Sequence, residues 1–145
     1  MMHRAFKSAV VAAALIPAAL IATPDVASAA SNGYAWACWI KPGSATNGGC
    51  AKFYADGDTL RVWDYTADGW GTRAQIQKLL PDSNGVMHWV NHSSDCFDDT
   101  STSNTNKGAT VCNYNVTEGI QVRVHVWASH SGTTAYHIYS PSITA

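Results

Sequence analysis

The residues between Gly119 and Tyr139 hold the densest set of side chains able to grip a ligand or exchange a proton. Along IQVRVHVWA, Ile120, Val122, Val124 and Val126 alternate with Gln121, Arg123, His125 and Trp127. In an extended chain successive side chains point to opposite faces, so the apolar set packs inward and the polar set faces out. With Ser129 to Thr133 as a hairpin loop, His125 falls opposite His137, Arg123 opposite Tyr139, and Trp127 opposite Ala135. Arg123, His125, Trp127, His137 and Tyr139 then share one outward face. Aromatic area with Arg and His donors suits a protein or sugar partner. The plainer alternative is a solvated face whose cross-strand pairs stabilise the sheet. A second such face comes from Thr59 to Thr66: Leu60 and Val62 point inward, leaving Arg61, Trp63 and Tyr65 outward.

Other reactive residues do not assemble into a catalytic or metal-binding pattern. In MHWVNH, His88 and His92 stand four apart. On a helix they would share a face, but on a strand four residues span roughly 13 Å, too far to share an ion. Asp95, Asp98 and Asp99 open a long polar loop, where carboxylates more often cap turns than hold calcium with Thr100 or Asn104. Glu118 is the only glutamate, and glycoside hydrolysis usually requires two opposed carboxylates. GxSxG, HExxH and a glycine-rich phosphate loop are all missing from the sequence. The expectation is therefore a non-catalytic protein with no metal site and no cofactor.

The elements that must position these residues are strands. Runs of β-branched and aromatic residues bounded by Gly, Asn, Asp and Ser recur at Tyr34–Lys41, Ala51–Tyr54, Thr59–Thr66, Trp70–Lys78, Val86–His92, Ala109–Tyr114, Gly119–Ala128 and Thr134–Tyr139. Ala74 to Leu80 is the only helix-compatible run, and Pro81 stops it. About eight short strands predict an all-β fold, an antiparallel β-sandwich. Ala-Asp-Gly occurs twice, at residues 55–57 and 67–69. Gly tolerates positive φ and Asp bonds its own backbone, so Asp56 and Asp68 are expected to turn the chain. Asp68-Gly69 in particular is placed as the hairpin turn between Thr59–Thr66 and Trp70–Lys78.

The N-terminal residues have the form of an export signal. Arg4 and Lys7 precede an uncharged apolar run from Ala9 to Ala22, and Ala27-Ser28-Ala29 supplies small residues before a cleavage point. Residues 1–29 are thus expected to be a secretory signal peptide, too short in its apolar part to span a membrane, and 30–145 a single β-sandwich domain. Formal net charge is −1 for the whole chain. With neither a basic stripe nor a polybasic tail, nucleic acid and membrane are poor partners. Four cysteines in an exported chain imply disulfides. Of three possible pairings, Cys38–Cys50 and Cys96–Cys112 are expected, because each closes a Gly/Ser/Asn-rich loop between strand-like runs.

The stretch Ala55-Asp56-Gly57-Asp58, Val62, Asp64 and Ala67-Asp68-Gly69-Trp70 resembles a signature of small secreted actinobacterial β-sandwich proteins, most of which have no assigned chemistry. Glu118-Gly119-Ile120 fits the same pattern. The resemblance extends over Cys50 to Trp127, with its specificity in the Ala-Asp-Gly hairpin, and it transfers no catalytic residue. In size and style the chain is also similar to adaptor subunits of secreted antibacterial toxin particles. Its six Trp depart from the pattern and imply a binding surface of its own. The function expected is a secreted, non-catalytic interaction protein that binds another extracellular protein as adaptor, inhibitor or toxin-complex subunit. The alternative is a stand-alone carbohydrate-binding module stacking Trp63, Tyr65, Trp70 or Trp127 on sugar rings.

Overall fold

Alternation along the chain builds the sheets. A computed structural model describes residues 33–92, 94–100 and 108–145. The expected signal peptide and Asn104 lie outside them. Strands β1 (Tyr34–Trp39), β2 (Gly49–Tyr54), β3 (Thr59–Asp64) and β7 (Thr110–Asn113) form one antiparallel sheet in the order β1-β2-β3-β7. The second, also antiparallel, centres on two long strands, β4 (Gly71–Pro81) and β8 (Gln121–His130). Around them pair β5 (Met87–Asn91), β6 (Cys96–Asp98), β9 (Thr133–Tyr139) and β10 (Ile143–Thr144). The fold is all-β, as the strand signals imply, with ten strands among the described residues. The two beyond the expected eight are β6 and β10, of three and two residues. Segments that short carry no periodicity.

The inward positions of both sheets meet in one core. Trp39, Phe53, Leu60, Val62, Ile76, Val122, Val124 and Val126 are fully buried, each stabilising the fold by roughly 1.5–3 kcal/mol through lost apolar exposure. The Trp39 indole N–H would be orphaned there, and it donates to Thr72 Oγ1 at 3.0 Å.

Both expected disulfides are present. Cys38–Cys50 joins directly opposed residues of the β1–β2 ladder, and Cys96–Cys112 joins β6 to β7 across the two sheets.

Two local expectations are corrected. Asp68-Gly69 turns the chain, with Gly69 at φ 85° and Asp68 Oδ1 accepting from Trp70 N at 3.0 Å. It is not a hairpin turn, however: β3 and β4 belong to different sheets, so the segment carries the chain across the sandwich. The hairpin is at the other copy, where Ala55 to Asp58 connects the paired strands β2 and β3 with Gly57 at φ 82°. The two copies share a glycine at positive φ, and only the tertiary packing decides which sheet the next strand joins.

The second correction concerns β8 and β9. Their connection is the tight pair Ser131-Gly132, because His130 already opposes Thr133. A bulge then shifts the ladder between Val126 and Ala128. His125 consequently opposes Tyr139, not His137. The extra residue is Tyr136, at φ 56°, whose ring turns inward and stacks on Trp39 at 5.7 Å.

Candidate functional site

The outward face of the β4–β8 sheet is built in rows. Pairing places Asn91, Gln77 and Arg123 in one row, Gln75, His125 and Tyr139 in the next, and Phe97, Arg73 and Trp127 in a third. The bulge brings His137 onto the same face. His125 Nε2 and His137 Nδ1 lie 2.9 Å apart, a hydrogen bond that requires a proton on one of the two nitrogens.

The rings of this face are turned toward one another. His125 stacks on Tyr139 with centroids 4.4 Å apart and planes at 14°, and Trp127 lies at 14° to His137. The Arg123 guanidinium carbon sits 4.3 Å from the Trp89 ring and 4.2 Å from the Tyr139 ring. Its Nε donates to Gln77 Oε1 at 2.8 Å, and Gln77 Nε2 donates in turn to Asn91 Oδ1 at 2.9 Å. Trp89, Arg123, Tyr139, His125, His137 and Trp127 thus form one continuous stack.

Burial, and then the neighbouring His137 and Arg123, push the His125 pKa down to about 4, so its imidazole is neutral near neutral pH. The guanidinium of Arg123 is also drawn down by desolvation, which Tyr139 partly offsets.

The second expected face lies on the opposite sheet and does not join the first. Arg61 and Trp63 point outward from β3, since Leu60, Val62 and Asp64 point in. Trp63 packs on Trp36 at 5.7 Å, and Lys52 sits 3.5 Å over the Tyr34 ring with Tyr54 at 4.9 Å. Tyr65 follows the strand, exposed, its phenol pushed up by desolvation.

Two expectations change at the residue level. Trp127 faces outward as alternation requires but is only 8% exposed, covered by its histidine neighbours, so it supports the surface more than it presents one. Trp70 packs against Tyr136 and His130. Sequence reasoning passed over Trp89, Gln77 and Asn91 on one face, and Tyr34, Trp36, Lys52 and Tyr54 on the other. Alternation of Arg73, Gln75 and Gln77 with Ala74 and Ile76 was the available signal for β4.

The acidic loop is committed to the fold. Asp95 pairs with Arg73 at 2.5 Å. Asp98 is buried, accepting from Asp64 N at 2.7 Å and from Thr110 Oγ1 at 2.6 Å. Asp64 accepts from the Thr100 backbone and hydroxyl, yet burial still raises its carboxyl above the usual range. No three metal-ligating side chains converge among the described residues. The chain matches no protein-family model, no curated protein and no solved structure.

Proposed function

We propose that the protein is a secreted, non-catalytic interaction protein whose outward sheet faces bind another extracellular protein. Two disulfides suit an oxidising, extracellular setting. One observation carries the choice of a protein partner. The rings of the β4–β8 face are stacked on each other and on Arg123, so part of their flat area is already taken up within the chain. Sugar stacking requires a free ring face, whereas protein recognition by Tyr, Trp and Arg uses ring edges and polar tips. The two aromatic faces lie on opposite sheets, a placement that favours an adaptor over an inhibitor. A subunit of a secreted toxin particle is the form that the chain's likeness in size and style to such adaptor subunits suggests.

The competing reading, a carbohydrate-binding module, draws on Trp36, which is 40% exposed beside Trp63. One experiment decides between them. The mature protein is immobilised, extracellular protein from its own culture is passed over it, and retained protein is compared with that on Trp36→Ala and Tyr139→Ala. A partner retained by the wild type should bind at least one variant more weakly by about 2 kcal/mol, with melting temperatures unchanged. Retention on insoluble polysaccharide that Trp36→Ala abolishes, with no protein captured, would establish the carbohydrate reading instead.

A further inference from the structure

Two arginines of the β4–β8 face are held in the same way, and they differ in one respect. The Arg73 guanidinium lies over the Phe97 ring at 4.1 Å, and its Nε donates to Ser129 Oγ at 3.1 Å. Its terminal nitrogen is bonded to the Asp95 carboxylate at 2.5 Å. Arg123 likewise has aromatic rings against it, Trp89 and Tyr139, and its Nε donates to the neutral Gln77 oxygen. Among the described residues no carboxylate pairs with it, the two ion pairs there being Lys41–Asp68 and Arg73–Asp95.

A guanidinium clamped by rings and fixed at Nε has lost its rotamer freedom, and its planar edge matches a carboxylate bidentately. The Gln77–Asn91 hydrogen bond fixes the clamp itself. Charge points the same way. Of the two arginines at outward positions of this face, Arg73 is already taken by Asp95, whereas Arg123 lies in a row with the neutral Gln77 and Asn91.

We propose that Arg123 is a carboxylate-reading position, taking an Asp or Glu side chain from an acidic segment of the protein partner, as Arg73 takes Asp95 within the chain. The proposal rests on the protein-binding reading above and names the chemistry that the partner must present.

The test uses the mature, disulfide-bonded protein and a capped oligoglutamate peptide as probe. Arginine Nε–Hε resonances are followed by NMR during the titration, with capped oligoglutamine as the uncharged comparison. The Arg123 signal should move saturably with oligoglutamate and stay still with oligoglutamine. Arg123→Lys keeps the charge but loses the planar fork, and should weaken the peptide by about tenfold at an unchanged melting temperature. Three results would overturn the assignment: no shift at Arg123, equal affinity of Arg123→Lys, or tighter binding of an oligogalacturonate of equal charge. Failure here is distinct from failure of the wider reading. A captured protein partner that binds Arg123→Lys as well as wild type removes the carboxylate role and leaves protein binding standing.

Discussion

Burial is the first thing that opposes protonation of His125, followed by His137, bonded to it from β9, and Arg123, two residues away on its own strand. Tyr139 stacks on its ring, and the facing position on β4 is the neutral Gln75. Its pKa falls from 6.5 to about 4. Between those values an unfolded chain takes up a proton that the folded protein refuses, so stability rises with pH across the window and is lost as pH falls through it. The loss should be on the order of 2 kcal/mol, after allowing for the partial exposure of the ring. Asp64 acts in the opposite sense, because a raised carboxyl pKa makes the folded state hold its proton longer. His92, lowered by burial, adds to the His125 trend. Comparison with His125→Gln subtracts both. Thermal unfolding between pH 6.5 and 4 should show the wild type losing melting temperature faster than this variant, and parallel slopes would remove His125 as the cause.

At the scale of the element, the bulge in β9 decides what the site looks like. Strict alternation made the outward set of β8 legible, since Val122, Val124 and Val126 did prove to be the inward set. The register of β9 was not legible, because nothing in TTAYHIY announces a tyrosine at positive φ. That conformation costs an ordinary residue about 1 kcal/mol or more, and it persists because the ring gains Trp39 and Trp70 as neighbours. A non-local gain therefore overrode a local preference. The partners of β8 were hidden for the same reason: Gln77 and Arg123 meet across a sequence separation that no periodicity reports. If the ring holds the bulge, Tyr136→Ala should cost about 3 kcal/mol in urea unfolding. Tyr136→Phe should stay within about 0.5 kcal/mol. Tyr136→Asn relieves the backbone but loses the ring, and should be nearly as unstable as Ala. A stabilised Asn variant would mean that strain outweighs stacking.

At the scale of the whole molecule, the two disulfides have different work despite similar loops, with separations of 12 and 16 residues. Each should limit the unfolded chain by about 3 kcal/mol on loop entropy alone. Their positions separate them. Cys38 and Cys50 are already opposed in a six-pair ladder, so the bridge restates a contact that the backbone hydrogen bonds make. Cys96 and Cys112 belong to short strands in different sheets, β6 held by three ladder pairs and β7 by four. That bridge is what couples two weakly paired edges across the sandwich, alongside the Asp98 contacts to Asp64 and Thr110. Opening it should therefore release both edges together. Hydrogen exchange on Cys96→Ala/Cys112→Ala should show amides of β6 and β7 losing protection as one unit, although they lie in separate sheets. In Cys38→Ala/Cys50→Ala the loss should stay near the β1–β2 connection. Were β7 to keep its protection while β6 lost it, the sheets would be held by core packing alone. The bridge would then act only through the unfolded chain.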